Sequence, residues 1–268
     1  MLITNPDHDS NMGIHGDRTN GYNHAQTAPL ILNSCRRAEY SEGKTCVKTI
    51  IELDGPIVDV EPGTWEAYST AALETGLART DRNAFWRAVR SGAPFGRSLR
   101  GAKPAKVAQC ETRFGELLES DSCLETCRAQ PEAHDALSRL TKHTRLALVT
   151  LGRNRAARQK LLNADDLSCF FPEMCGLSTR RQSRRDRLRA LAEDDSRVVC
   201  AASTPALIAS ATEAGLLVVG ISNGIFTSRR LTQAGAAVVF SDLLELTDEY
   251  EGGATELVAH GLLPQSRC

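Results

Sequence analysis

Apolar runs alternate with amphipathic stretches over the second half of the chain. Residues 146–149 (LALV) are uninterrupted hydrophobics, the pattern of a strand buried on both faces of a parallel sheet. The run ends at Thr150-Leu151-Gly152-Arg153-Asn154, and a helix follows with Ala156, Ala157, Leu161 and Leu162 on its apolar face. The pattern then repeats. A helix holding residues 188–191 precedes a strand at 197–200, a helix over 205–214 stops at Gly215, and a strand covers 216–221. A helix over 228–233, a strand over 236–240 and the apolar stretch 243–246 complete the series. Strand and helix alternating through short connections predict an α/β fold built on a doubly wound parallel sheet.

Upstream, the apolar run 47–53, broken by Lys48, Thr49 and Glu52, ends at Asp54-Gly55-Pro56 and reads as a buried strand delivering two carboxylates into a turn. Glu52 and Asp54 are two apart, so on a strand both would face one side and could share a cation or a phosphate. Between this strand and the next, the spacing predicts only helices: 65–77 with Trp65, Tyr68, Ala72 and Leu73, then 82–89, then 107–128. A further helix opens at Pro131 and runs to about 142. The implied organisation is a polar extension over 1–44, an α/β core over 45–66 and 131–250, a helical cap over 67–130 and a tail over 251–268. The extension is rich in Asn, Asp, His, Gly, Ser and Thr and has too little to bury to offset its ordering entropy; its His8, His15 and His24 follow no regular spacing.

Charge changes this picture little. With 32 basic and 33 acidic residues the net charge is -1, which gives no reason to expect nucleic acid or a membrane surface as partner. No apolar run approaches the roughly 20 residues that span a bilayer. Nine scattered cysteines suit reduced thiols in a cytoplasmic protein better than a disulfide framework. Cys123 and Cys127 are four apart and could face one another on a helix, but no nearby Cys or His pair completes a zinc site of ordinary spacing, so helix packing accounts for them. The basic cluster Arg87, Arg90, Arg97, Arg100, Lys103 and Lys106 reads either as a solvated face or as an anion contact. For Thr150, Gly152 and Asn154, a hydroxyl and backbone amides at a helix N-terminus would favour an anion, while helix capping by Asn154 accounts for the same residues.

In order and spacing these features resemble the haloacid dehalogenase-like (HAD) superfamily, in particular its phosphoglycolate phosphatase-like branch with a helical cap after the first strand. E-L-D-G-P-I-V-D-V-E-P looks like the first motif and L-A-L-V-T-L-G-R-N like the second. V-V-C-A-A-S-T-P-A-L-I-A-S-A-T-E-A-G-L-L-V-V-G-I looks like the fourth, and L-T-Q-A-G-A-A-V-V-F-S-D-L-L-E-L like the closing strand. The resemblance implies a Rossmann-like core and a phosphatase chemistry with Mg²⁺ as cofactor and a small phosphorylated, anionic metabolite as partner. Glu52 would stand at the nucleophile position and Asp54 at that of the general acid and base, and the two would also be the metal ligands. Thr150, Gly152, Asn154 and Arg181 would hold the phosphate, with Arg181 replacing the lysine of the third motif and Arg184 and Arg185 behind it.

The sequence departs from that pattern where the chemistry is most demanding. Glu replaces Asp at 52, and misplacing a nucleophile by on the order of 1 Å can cost about a hundredfold in rate. Pro56 has neither a hydroxyl nor an N–H. Ala202 and Leu207 stand where the fourth motif supplies acids, and Asp194, Asp195 and Asp242 are the remaining candidates to replace them. The expectation is a HAD-fold protein with weakened or lost Mg²⁺-dependent activity that serves as an anion-binding or regulatory module. The alternative is an active phosphomonoester hydrolase. An ester or amide hydrolase would need a Ser or Cys elbow near His134, His143 or His260, and the sequence offers none.

Overall fold

The computed structural model describes residues 47–99, 101–172, 174–193, 197–223, 225–253 and 255–259. The extension with its histidines, Cys35, Cys46, Arg100, Asp194, Asp195, His260 and Cys268 lie outside the described residues.

The chain opens with β1 (Val47–Glu52) and the short β2 (Val58–Asp59). Four helices follow: α1 (Glu61–Glu74), α2 (Arg82–Arg90), α3 (Pro104–Leu117) and α4 (Asp121–Leu124), with a 3₁₀ turn at Phe95–Ser98. The strand β3 (Arg128–Ala129) returns antiparallel to β2, so the four helices leave and re-enter through a two-residue ladder. A division at 66/67 falls inside α1, because Pro62 in the first turn starts that helix ahead of its apolar stripe. The expected helix over 107–128 is interrupted because the Ser120 side chain accepts the Cys123 N–H and caps α4 as a new helix.

The second part runs α5 (Ala133–Leu140), β4 (Arg145–Thr150), α6 (Arg155–Ala164), β5 (Met174–Gly176), α7 (Arg181–Ala192), β6 (Arg197–Ala202), α8 (Pro205–Glu213), β7 (Leu217–Ile221), α9 (Ser228–Gln233), β8 (Val238–Phe240), α10 (Leu243–Glu251) and α11 (Thr255–Ala259). Six strands form one sheet in the order β5-β4-β1-β6-β7-β8, every neighbouring pair parallel. Side chains alternate across it as strand geometry requires. Ile50, Val149, Cys200 and Val218 pack with Leu188, Leu207, Ile208 and Leu231 from α7, α8 and α9. Ile51, Leu148, Val199 and Val219 pack on the other face with Leu137, Leu140, Leu243 and Leu246 from α5 and α10.

The inserted helices pack around aromatic rings. Tyr68 stacks on Phe85 at 4.2 Å and Phe95 on Phe114 at 5.1 Å. In the sheet, β1 lies between β4 and β6, so their carboxyl ends stand side by side. The chain moves outward from β1 in opposite directions on its two sides, and in open α/β sheets the crevice at such a point is where ligands bind. No helix among the described residues is long and apolar enough to cross a membrane.

Candidate functional site

Glu52 ends β1 fully buried, and its carboxylate turns toward β6 and the head of α8. Oε2 accepts the backbone N–H groups of Ser203 (2.8 Å) and Thr204 (3.0 Å), and Oε1 accepts the Thr204 hydroxyl at 2.7 Å. Burial pushes this carboxyl up to about 7. The hydrogen bonds from Thr204 and Ser203 oppose the rise, and the charge of Asp54 adds to it.

Asp54 turns the other way. Its Oδ2 accepts the Thr150 hydroxyl at 2.8 Å and its Oδ1 accepts Arg158 Nε at 3.2 Å. Only 3% of Asp54 is exposed. Burial alone would raise it, but the Arg158 charge and the hydrogen bonds from Thr150 and Arg158 hold it below the usual carboxylate range. The two carboxylates therefore engage different partners, Glu52 on the β6 side of β1 and Asp54 on the β4 side. The strand ends at Glu52, and the turn after it carries Gly55 at φ +111°, where a Cβ would lie 2.1 Å from Ser203 Oγ.

Arg158, absent from the sequence-based candidates, joins the two halves of the site. It is 4% exposed, and its Nη1 donates to Glu119 Oε2 at 2.8 Å while its Nε holds Asp54. Its guanidinium lies against Gly152, where a Cβ would sit 1.9 Å from Arg158 Cζ, so position 152 must be glycine for this arrangement. Glu119, on the link between α3 and α4, also accepts the N–H groups of Arg153 and Asn154, both at 2.9 Å. Asn154 caps α6 by accepting the Ala157 N–H, and its Nδ2 donates to the Glu119 carbonyl (2.9 Å) and to Asp121 Oδ1 (2.8 Å).

Of the expected phosphate-holding residues, Thr150 touches Asp54 directly, Gly152 donates its N–H to Thr150, and Asn154 caps α6 next to Glu119 and Asp121. The anion held by the amides at the start of α6 is the insertion's own Glu119, in the manner helix N-termini favour. Arg181 is not part of this cluster; it lies half-exposed on α7, paired with Glu213 at the end of α8. Arg184, one turn further on, is the buried arginine of α7, donating to Ser210 Oγ at 2.7 Å and to the carbonyls of Ser178 and Thr179. Burial draws its guanidinium down, and the Glu52 charge partly opposes this. Asp242 caps α10 through the Glu245 N–H.

The space beside Asp54 is small. A cavity of about 20 Å³ is bounded by Asp54, Thr64, Leu118, Cys123, Cys127 and Arg158, against about 300–1,000 Å³ for ordinary ligand pockets. Burial pushes the Cys127 thiol up to about 11, so it faces the cavity as a neutral thiol. Among the described residues no group of three or more His, Cys, Asp or Glu side chains is placed to hold a metal ion.

No known family model matches this chain, and no curated protein does. Solved structures do. A haloacid dehalogenase-like family hydrolase from Streptococcus pneumoniae superposes with a TM-score of 0.62 at 16% identity, covering 77% of this chain and 99% of that one. A predicted phosphatase from Clostridium acetobutylicum gives 0.60 at 14% identity, over 78% and 100%. A predicted phosphoglycolate phosphatase from Haemophilus somnus gives 0.57 at 18%, over 77% and 98%. At such identities the likeness is one of fold, and the fold of this chain is that of the haloacid dehalogenase-like hydrolases, with a phosphoglycolate phosphatase-like protein among its structural neighbours.

Proposed function

We propose that this chain is a HAD-fold protein in which Mg²⁺-dependent phosphoryl transfer is weakened or lost, and that its site acts as an anion-binding or regulatory module. The observation that carries this reading is Arg158, a fixed cation whose Nε lies 3.2 Å from the Asp54 carboxylate and whose Nη1 bonds the carboxylate that closes the site. Mg²⁺ demands near-octahedral oxygen coordination and keeps several waters. Here the Glu52 oxygens accept four donors, the N–H and hydroxyl groups of Ser203 and Thr204, Asp54 faces a guanidinium, and Ala202 and Leu207 are fully buried apolar residues. This donor set does not suit Mg²⁺.

An active phosphomonoester hydrolase acting on a small phosphorylated metabolite is the second reading. What favours it is the head of α6, whose amides already donate to an oxyanion, the Glu119 carboxylate, with the Thr150 hydroxyl beside them. The full chain, assayed with p-nitrophenyl phosphate and Mg²⁺, separates the two. The first reading expects no turnover above background. Turnover well above background that disappears in Asp54→Asn would overturn it.

A further inference from the structure

Away from the Asp54 site, a groove of about 540 Å³ runs along α2 and the start of α1, lined by Glu61, Arg82, Asn83, Trp86, Arg87 and Arg90. Its volume falls within the range of about 300–1,000 Å³ typical of small-molecule sites, and it shares no lining residue with the cavity at Asp54. The charges in it are unevenly matched. Glu61 is committed to Arg90 at 2.8 Å, while Arg82 and Arg87 have no ion-pair partner among the described residues. Some exposed arginines elsewhere are paired, Arg113 with Glu74 and Glu116, Arg139 with Asp248 and Glu251 and Arg181 with Glu213. The groove therefore carries two uncompensated guanidinium groups.

Two further features point to an occupant. Trp86 is 4% exposed, yet its indole N–H has no hydrogen-bond partner, and a buried donor left unmade is costly. The cations are also held in place before anything binds. Arg82 Cζ lies 5.9 Å from the Trp65 ring centroid and Arg90 Cζ 5.9 Å from that of Trp86, so ring faces position both guanidiniums. Arg82, Trp86 and Arg90 succeed one another at four-residue steps and so share one helix face. The two uncompensated arginines, Arg82 and Arg87, are five residues apart, about 7.5 Å along the axis. Linked phosphoryl groups can engage both at once, and planar guanidinium forks match their oxygens.

We infer that this groove binds an oligophosphate, a small molecule with two or more linked phosphoryl groups, either free or as part of a nucleotide. The test is calorimetric titration of sodium tripolyphosphate, and separately of ATP, into the full chain at two salt concentrations. One-to-one binding is expected, weakening as salt rises because the contacts lie at the surface. Affinity for tripolyphosphate should fall at least about tenfold in Arg82→Ala/Arg87→Ala, whose exposed positions leave the melting temperature unchanged. It should fall also in Trp86→Phe, and stay unchanged in Asp54→Asn/Arg158→Met, which removes the buried pair together. Tighter binding of ATP than of tripolyphosphate, lost in the same variants, assigns the ligand as a nucleotide; equal binding assigns the phosphate chain alone. The inference is overturned if neither compound binds, if Arg82→Ala/Arg87→Ala binds as well as the unaltered chain, or if binding is lost in Asp54→Asn/Arg158→Met instead. That last outcome would move the anion to the Asp54 site.

Discussion

Replacing Arg158 by Met removes the guanidinium but keeps an unbranched side chain of similar reach over Gly152, so the perturbation is mainly one of charge. Asp54, 3% exposed, would keep only the Thr150 hydroxyl, and Glu119 would keep the two amides at the head of α6. Removing one partner of a buried ion pair costs about 3–5 kcal/mol, because the other charge is left buried and uncompensated. Against a total stability of about 5–15 kcal/mol, this is a loss that urea unfolding followed by circular dichroism resolves directly as a lower midpoint at constant slope. The companion variant Asp54→Asn/Arg158→Met removes both charges, and most of the loss should return. The acid limb gives a second reading of the same pair. Asp54 is depressed below its ordinary 3.8, so its contribution is present above that value and is lost as pH falls through the folded one. Without Arg158 the loss should begin at higher pH. A cost under about 1 kcal/mol for Arg158→Met, or a double variant that costs the sum of the two singles, would refute the pairing as the element that holds the site.

Two other substitutions address neighbouring parts. Glu119→Ala removes charge-assisted hydrogen bonds to Arg158 and two amides, each worth about 1.5–3 kcal/mol where charge is involved, but Glu119 is partly exposed and Arg158 keeps Asp54, so a net loss of about 2 kcal/mol is expected. The vacated amides should also make the variant's melting temperature rise with added inorganic phosphate by more than that of the unaltered chain; an equal response would show that these amides do not recognise phosphate. Glu52 works in the opposite sense to Asp54. Its folded value of about 7 exceeds the ordinary 4.5, so the native state holds the proton more tightly and stability falls as pH rises between those values, by about 3 kcal/mol. In Glu52→Gln the chemical-denaturation midpoint should be flatter over that interval, and an unchanged slope would count against burial as the cause.

The strands carrying the site were legible because a parallel sheet is buried on both faces: β1, β4, β6 and β7 each appear as apolar runs bounded by turn residues. β5 left no such trace, being three residues at the sheet edge with a Cys and a Gly among them. The helix α7 reads as RQSRRDRLRALA, so polar that only Leu188 and Leu191 show its phase. Arg184 stands four residues before buried Leu188, and Arg158 stands four before buried Leu162, so each belongs to the buried face of its helix. Arg181, seven before Leu188, shares that phase, so periodicity alone did not separate the two arginines of α7; Arg181 is the first residue of the helix and meets Glu213 there. Glu119 left no comparable signal. It sits on a link between two helices, and its partners are 34 to 39 residues away, a relation fixed only once the insertion packs down on α6.

The two-residue ladder between β2 and β3 gives the molecule a lever. Both crossing segments are fastened to the turn that bears Asp54: the Gly55 N–H donates to the Val58 carbonyl, Gln130 N–H to that of Ile57, and Gln130 Nε2 to that of Gly55. The far end of the lever is Glu119, seated on the amides of Arg153 and Asn154. Moving the four helices away from the sheet would therefore require breaking the Glu119 hydrogen bonds, and the segments that carry such a move are bonded to the turn that holds Asp54.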